Sequence, residues 1–232
     1  MTADGLWSRL LDFVSPRRCA VCGGRLAPTE HGLCSACLLR LPRTATWLTP
    51  SDNEVARLFW GRLPVCRAAA FFYFERRSEA ARAIYEMKYH GRPDTGYDLG
   101  RLAAAEMDTA GFFSGIDVVV PVPLARRRLR QRGYNQSEYI ARGVASAAGL
   151  PVETRAVRRT VFTQSQTRLS HRERADNVEG AFSPADTNRL HGRHVLMVDD
   201  VVTTGATLAA CGAALAGVPG VRLSVMALGF AK

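Results

Sequence analysis

The sequence predicts an α/β protein in which helices flank a parallel β-sheet, with a small cysteine-rich module in front of it. From Cys66 onward, short apolar stretches alternate with helical patterns, which is typical of parallel sheets. Near the N-terminus, two Cys-x2-Cys pairs are separated by eleven residues. Near the C-terminus, a buried-strand pattern ends in two aspartates and a Thr-Gly turn, and such folds bind ligands at the ends of their strands.

Length and composition limit the class of protein. The chain has 232 residues, of which 47% are hydrophobic and 22% charged, and this excludes a disordered chain, a collagen-like repeat and a coiled-coil rod. It contains no apolar run of about 18 residues, so we predict no transmembrane segment. Residues 1–16 have no basic segment before an apolar one, so we predict no signal peptide and a cytoplasmic location. The apolar residues of this segment recur at helical spacing, which favours a short docked helix over a membrane-surface anchor.

The charge balance favours anionic partners. Lysine and arginine number 31 against 21 acidic residues, which gives a formal net charge of +10. Such a balance suits phosphate-bearing ligands, from small phosphorylated metabolites to nucleic acid, and charge alone does not choose between them.

The paired cysteines predict a structural zinc site. Two residues between the cysteines of a pair let both sulfurs point at one tetrahedral ion, and two pairs complete a four-sulfur shell with no open position for catalysis. Disulfides are disfavoured without a secretory signal, and a redox pair would be single and lie beside a βαβ unit. His31 lies between the pairs and is an alternative ligand. The predicted ligands are Cys19, Cys22, Cys34 and Cys37.

The chain divides into two predicted units. A zinc-ribbon module covers residues 15–42, and a larger domain covers residues 66–232. Residues 43–65 are irregular and contain prolines, which indicates a linker. Cys66 and Cys211 lie on apolar stretches and are expected to be buried, unreactive thiols.

Strands and helices are predicted in alternation within the larger domain. Residues 68–74 form an apolar, aromatic strand, and a valine-rich strand over 117–122 is closed by prolines. Asn135 in the N-cap position, Glu138 three residues later and Gly149 at the end delimit a helix. The other predicted elements are helices over 78–87, 97–110 and 207–216 and strands over 195–198 and 223–228.

The most informative segment covers residues 195–208. A four-residue apolar strand is followed by Asp199 and Asp200, and then by a turn that leads directly into a helix. The N–H groups of such a turn, its hydroxyls and the helix N-terminus form a cradle for a monophosphate. The carboxylates repel phosphate but suit the neighbouring ribose hydroxyls, directly or through Mg²⁺ and water. The turn consists of Thr203, Thr204, Gly205, Ala206 and Thr207, in which Gly205 lets the backbone approach the phosphate.

Residues 198–207 resemble the phosphoribosyl-pyrophosphate (PRPP) motif of type I phosphoribosyltransferases. Over about residues 17–230, the chain resembles the ComF family, whose members are competence-associated and phosphoribosyltransferase-like. This resemblance implies a type I phosphoribosyltransferase-like sheet behind a zinc-ribbon module. It is carried by the two cysteine pairs, Lys88–Gly91, Val120–Leu124, Arg128, Arg132–Gln136, Gln166, Thr167, Leu169, Arg174, Asn177 and Phe182.

The resemblance also implies the positions of the ligand-binding loops. In type I enzymes a loop after an early strand clasps the pyrophosphate, and the arginines of the matching segment suit a polyanion. A solvated basic loop, or one that contacts nucleic acid, is the alternative. A lid before the PRPP motif, residues 160–183 here, closes to exclude water. The implied residues are Asp199 and Asp200 as the catalytic pair, Pro121, Arg128, Arg132, Gly133 and Asn135 in the pyrophosphate loop, Arg168 and Arg174 in the lid, and Lys88 and Tyr89 on the acceptor side.

Two functions follow from the resemblance. The first is Mg²⁺-dependent transfer of a phosphoribosyl group from PRPP to an amine or nucleobase-like acceptor, with release of pyrophosphate. The second is a non-catalytic PRPP- or nucleotide-binding protein that assists DNA uptake or utilisation, with single-stranded DNA or competence proteins as partners. The zinc module either braces the larger domain or contacts those partners. A zinc-finger nucleic-acid binder with an idle α/β domain is disfavoured, and it predicts a steep salt dependence of DNA affinity.

Overall fold

Four parallel strands form the central sheet of the protein. A computed structural model describes residues 17–160 and 180–232. The strands in these residues are β1 (Ala68–Tyr73), β2 (Val118–Pro121), β3 (Val157–Arg159), β4 (Phe182–Pro184), β5 (His194–Val202) and β6 (Arg222–Phe230). The central sheet has the order β1-β6-β5-β2 and is parallel throughout, whereas β3 and β4 form a separate antiparallel pair.

Helices cover both faces of this sheet. Among the described residues they are α1 (Ser35–Arg40), α2 (Glu54–Arg57), α3 (Glu79–Tyr89), α4 (Pro93–Asp108), α5 (Arg126–Arg132), α6 (Gln136–Ala148) and α7 (Ala206–Ala216). None of these described helices is long and apolar enough to cross a membrane. The short helix expected in residues 1–16 lies outside the described residues.

The predicted fold class is confirmed, and most element ends shift by a few residues. Asn135 caps α6 by accepting a hydrogen bond from the Ser137 N–H, and Gly149 ends this helix with a left-handed backbone, as predicted. The largest difference is in β5, which continues to Val202 because β6 offers pairing partners as far as Phe230. The acidic pair therefore lies within the last residues of the strand.

Alternation along the strands divides the core into two layers. Successive side chains of a strand point to opposite faces of the sheet. Leu196 and Val198 of β5 pack in one layer with α3, α4 and α6, whereas Val195 and Met197 pack in the other with α2 and α7. Because both faces are buried, the strands are continuously apolar.

Residues 43–65 differ from the predicted linker, because they line the free edge of β1. The Thr44 N–H donates to the Phe71 carbonyl at 3.3 Å. The buried Asn53 side chain donates to the Ala68 carbonyl at 2.9 Å and caps α2. These hydrogen bonds join residues that are distant in sequence. A prediction from the local composition of residues 43–65 cannot include them, and it therefore indicated a linker.

The cysteine-rich segment shares its core with α3, α4 and α6. Arg43 joins the two: its guanidinium donates to both carboxylate oxygens of Glu106 on α4 at 3.0 Å, and to the Leu38 carbonyl at 2.9 Å. Gly32 approaches α4 so closely that a Cβ there would lie 2.7 Å from the Cβ of Asp98. The segment is therefore packed directly on α4.

The two cysteines outside the pairs differ from each other. Cys211 on α7 is buried as predicted, and burial raises the pKa of its thiol. The prediction for Cys66 was wrong, since its side chain is exposed. Cys66 precedes β1, and the sheet covers the apolar stretch only from Ala68 onward.

Helices α4 and α6 approach each other through two glycines. A Cβ on Gly100 would lie 2.3 Å from the Ile140 carbonyl oxygen, and one on Gly143 would lie 2.0 Å from the Tyr97 carbonyl oxygen. Both obstacles are helix backbone atoms, which cannot rotate away as a side chain can. This close packing fixes the direction of α6, whose first residues lie at the carboxyl edge of the sheet.

We expect Gly143→Ala to lower the free energy of unfolding by roughly 2 kcal/mol, because overpacking against a helix backbone outweighs the gain of about 1 kcal/mol in helix propensity. Urea denaturation measures the change. The matched control is Gly217→Ala, since Gly217 has a φ of −78° and nothing lies within 4 Å of an added Cβ. Wild-type stability in Gly143→Ala would contradict the close approach of the two helices.

Candidate functional site

A cavity of about 760 Å³ opens at the carboxyl edge of the sheet, beside β2 and β5. Ligands of parallel α/β sheets bind at this edge, where strand ends and loops leave a crevice. Cationic side chains from three parts of the fold line the cavity together with an acidic pair. They are Lys88, Arg128, Arg132 and Arg159, and the acidic pair is Asp199 and Asp200.

Asp200 is the buried member of the acidic pair, with only 5% of its surface exposed. The Lys88 ammonium donates to its Oδ1 at 2.8 Å, and the Gln136 amide donates to its Oδ2 at 2.6 Å. Lys88 lies near the end of α3 and Gln136 is the first residue of α6. Both oxygens of this carboxylate are therefore paired by groups of the chain itself.

Asp199 is the more accessible member of the pair. Its Oδ1 accepts hydrogen bonds from the Ser137 hydroxyl at 2.9 Å and from the Asp200 N–H at 2.8 Å. Burial, and then the neighbouring Asp200 charge, raise the pKa of Asp199 above the ordinary range of a carboxyl. No hydrogen bond from the described residues reaches its Oδ2, so this is the carboxylate oxygen that a ligand can use.

The predicted phosphate turn leads into α7. Thr203 and Thr204 are exposed, Thr207 lines the cavity, and no side chain caps the helix. The first N–H groups of α7 are therefore available to an anion. The Arg62 guanidinium holds the turn by donating to the Thr204 carbonyl at 2.7 Å.

Gly205 is required by the fold itself. Its φ is +73°, and a Cβ there would lie 3.2 Å from the Cβ of Leu58 and 3.3 Å from the Phe59 ring. The sequence predicted that the missing Cβ of Gly205 leaves room for a phosphate. The structure instead places Leu58 and Phe59 there, so the glycine allows the turn to pack on the residues after α2.

Two arginines of the predicted pyrophosphate loop, Arg128 and Arg132, line the cavity. They lie on α5, a helix with no buried residue. The Arg132 guanidinium donates to Gln136 Oε1 and lies over the ring of Tyr89, 5.5 Å from its centroid. Both side chains therefore bring positive charge to the cavity.

The other residues predicted for this loop shape its backbone. Pro121 ends β2, and Gly133 ends α5 with a φ of +82°. Asn135 caps α6 and donates from its side chain to the Val122 carbonyl at 3.0 Å. The loop is thereby closed between the end of β2 and the start of α6.

Arg159, Gln136 and Ser137 also line the cavity, although the sequence prediction gave them no role in the site. Arg159 reaches the cavity from β3 and lies over the Phe182 ring at 5.1 Å, and burial, then the nearby Arg128 charge, lower its pKa. A single arginine at the end of a short strand carries no signal in the sequence. Gln136 and Ser137 directly follow the predicted N-cap Asn135. The signal that could have indicated them is the family motif Arg132–Gln136, which includes Gln136. Arg168 and Arg174, predicted for the lid, lie outside the described residues.

The four paired cysteines lie together, with their Sγ atoms within 4.8 Å of one another, and can hold a metal ion such as zinc. Cys22 Sγ and Cys34 Sγ are 3.8 Å apart. Zinc–sulfur bonds of about 2.3 Å in a tetrahedron require a sulfur separation of about 3.8 Å, so the spacing of this pair fits. Backbone N–H groups also point at the sulfurs: those of Val21 and Cys34 lie 3.4 and 3.3 Å from Cys19 Sγ.

Similarity to known sequences decides the family. No protein-family model matches the chain. The DNA utilization protein YhgH of Escherichia coli (strain K12) is 32% identical over 203 residues, which cover 84% of this chain and 88% of that protein. Competence protein F of Haemophilus influenzae is 38% identical over 93 residues, 40% of this chain and 41% of that protein. The chain belongs to the ComF family. Competence protein ComFC of Bacillus subtilis is 29% identical to this ComF-family chain over 91 residues.

Solved structures similar to the ComF-family chain include two enzymes whose names refer to phosphoribosyl groups. The glutamine PRPP amidotransferase of B. subtilis is 24% identical with a TM-score of 0.40, covering 61% of this chain and 30% of that one. An adenine phosphoribosyltransferase is 19% identical with a TM-score of 0.37, covering 62% of this chain and 75% of that one. The parallel strand order and the flanking helices, rather than these scores, define the fold of the ComF-family chain.

We expect the ComF-family chain to be purified with a metal ion, and Cys34→Ser to lack that ion and to be less stable, because three thiolates cannot complete a tetrahedral four-sulfur shell. Elemental analysis of the purified protein measures the metal, and thermal unfolding measures the stability. Cys66→Ser is the matched control, since Cys66 is exposed and outside the cluster. Equal metal content in the two variants would remove Cys34 from the site.

Proposed function

We propose that the cavity binds PRPP and that the protein transfers its phosphoribosyl group to an amine or nucleobase-like acceptor, with release of pyrophosphate. The observation that carries the proposal is a single juxtaposition. An uncapped helix N-terminus, a carboxylate with one oxygen available and three arginines border one cavity at the carboxyl edge of a parallel sheet. PRPP combines the three complementary groups, a 5-phosphate, ribose hydroxyls and a pyrophosphate.

Charge assigns each part of this ligand to a place in the cavity. The N-terminus of α7 supplies N–H groups and a positive partial charge to the 5-phosphate. Asp199 repels phosphate but accepts hydrogen bonds from ribose hydroxyls through its Oδ2. Arg128, Arg132 and Arg159 supply charge and forked donors to the pyrophosphate.

Magnesium fits this donor set through Asp199 alone. Mg²⁺ is usually held by one or two carboxylates together with substrate phosphates and water. Asp200 has no oxygen to give, since Lys88 and Gln136 occupy both. When bound, the ion would screen the charge of the pyrophosphate. We accordingly propose a magnesium-assisted site in which the chain provides one direct carboxylate oxygen.

Transfer breaks the bond between the ribose C1 and a pyrophosphate oxygen and forms a bond from C1 to the acceptor nitrogen, which gives up its proton to water. Negative charge grows on the departing oxygen, and the arginines stabilise it because they are already in place. The acceptor side of the cavity carries Tyr89 next to Lys88. Arg168 and Arg174, in the lid that the family resemblance implies, stay part of this proposal for the exclusion of water.

A second function is favoured by the names of the relatives and by the surface charge. Those names refer to DNA utilization and competence. The chain carries a formal net charge of +10, and five of the seven residues of exposed α5 are arginines. In this alternative the protein binds PRPP or a nucleotide without turnover and assists the handling of single-stranded DNA or competence proteins. Pyrophosphate release separates the two functions.

The proposal has two structural parts as well. The cysteine cluster holds a structural zinc ion, and its module of residues 15–42 is a distinct unit beside the domain of residues 66–232, on whose core residues 43–65 also pack. A cytoplasmic location suits the cluster, because a reducing compartment keeps thiols available to a metal. Metal analysis that found another ion or none would overturn the zinc assignment.

Calorimetric titration of PRPP with Mg²⁺ tests the function. We expect saturable binding by the wild type and a loss of at least tenfold in affinity in the double variant Asp199→Asn and Asp200→Asn. The reason is that the carboxylate that contacts the ribose and the neighbouring buried carboxylate both lose their charge. The matched control is the double variant Asp108→Asn and Asp186→Asn, which makes the same charge change at exposed positions. Equal affinity in all three proteins would remove the acidic pair from the site. No binding by the folded, metal-loaded wild type would overturn the proposal.

A further inference from the structure

Five side chains form a continuous series of contacts around the cavity. The series runs from Lys88 to Asp200, from Asp200 to Gln136, from Gln136 to Arg132, and from Arg132 to Tyr89, which adjoins Lys88 in sequence. It links the end of α3, the end of β5, the start of α6 and the end of α5. Gln136 stands at its centre and is only 5% exposed.

The chemistry of its two neighbours fixes the orientation of the Gln136 amide. A carboxylate accepts hydrogen bonds and cannot donate them, whereas a guanidinium donates and cannot accept. The amide therefore turns its NH₂ group to Asp200 and its oxygen to Arg132, as observed. The reverse orientation would place donor against donor and acceptor against acceptor. The carboxylate at the strand end thus determines which atom of Gln136 faces the arginine.

Arg132 depends on this partner. Its helix, α5, is seven residues long and has no buried residue, so the core does not hold it. Its guanidinium donates a hydrogen bond to Gln136 and lies over the ring of Tyr89, which is 69% exposed, and its charge also acts on the nearby Tyr134 hydroxyl. Fixing an arginine side chain costs free energy, because the side chain loses rotamer freedom. A ligand binds more tightly when the side chain is already fixed before binding, since this cost is then not taken from the binding free energy.

We infer that Gln136 is a positioning residue, which aims Arg132 at the pyrophosphate end of the ligand and is itself oriented by Asp200. The inference rests on the proposed function, since it concerns the pyrophosphate end of the same cavity. It divides the acidic pair: Asp199 contacts the ribose, whereas Asp200 anchors Lys88 and Gln136 and contacts no ligand. The sequence motif that contains Gln136 thereby gains a role of its own.

The division predicts a selective effect on the two halves of the ligand. Inorganic pyrophosphate probes the arginine side, and ribose 5-phosphate probes Asp199 and the N-terminus of α7. We expect Gln136→Met to weaken pyrophosphate binding about tenfold, because Arg132 loses its preorganisation, and to change ribose 5-phosphate binding less than about twofold. Calorimetric titrations with Mg²⁺ on the full, metal-loaded chain measure both affinities. Asn188→Met, which removes an amide at an exposed position outside the cavity lining, should alter neither.

A double-variant cycle separates positioning from a general structural role. If Gln136 acts through Arg132, then Arg132→Met alone and Arg132→Met combined with Gln136→Met bind pyrophosphate equally weakly. Asp200→Asn provides a second route should Gln136→Met fail to fold. An asparagine at this position presents an NH₂ group to Gln136, and the Gln136 amide turns over to accept from it. Arg132 then faces the NH₂ group of Gln136, so pyrophosphate binding weakens while ribose 5-phosphate binding is kept.

The outcomes distinguish this inference from the proposed function. Wild-type pyrophosphate affinity in Gln136→Met, equal losses for both ligands, or losses that multiply in the combined variant would each overturn the positioning role, provided that the wild type binds both ligands. A folded wild type that binds neither ligand would overturn the proposed function, and the inference with it. Selective loss of pyrophosphate together with non-additive losses in the cycle supports both.

Discussion

The geometry of the cavity depends on the buried carboxylate of Asp200. A buried ionised carboxylate costs several kcal/mol unless it is both paired and hydrogen-bonded. Its pairing recruits the Lys88 ammonium from the end of α3 and the Gln136 amide from the start of α6. Two helices on one layer of the core are therefore drawn to one strand end. The close glycine packing of α4 on α6 directs α6 toward this point, so the apolar core and the buried charge require the same arrangement.

The sequence predicted those parts of the fold whose signals are local. Continuous apolar strands buried on both faces, and helices with capping residues such as Asn135, are visible in a short window. The packing of the segment around Asn53 on the edge of β1 was not predicted. It depends on hydrogen bonds of the Asn53 side chain to the carbonyls of β1 and of its own segment, and these form only once the two are folded together. The length of β5 was underestimated because pairing with β6, rather than apolarity, extends it past Val198. Cys66 was misjudged because it lies just before the stretch that the sheet covers.

The candidate site was predictable where several residues of a motif are adjacent in sequence. The acidic pair and the turn around Gly205 follow one strand, so their proximity needs no tertiary information. Arg159 could not be found in this way, since only the placement of the small β3–β4 pair brings it to the cavity. The unequal surroundings of the two aspartates were also invisible, because Lys88 is 112 residues away from Asp200 in the chain.

The position of the cysteine module links metal binding to the same cavity. The module has no separate core, since its buried residues pack with α3, α4 and α6. Arg92, which follows Gly91 at the cavity border, donates to the Arg18 carbonyl at 2.6 Å, and Arg43 fastens the module to Glu106 on α4. Metal-binding energy in such a module is folding energy. A metal ion held by the four cysteines would therefore stabilise the layer that carries Gln136 without contacting a ligand in the cavity.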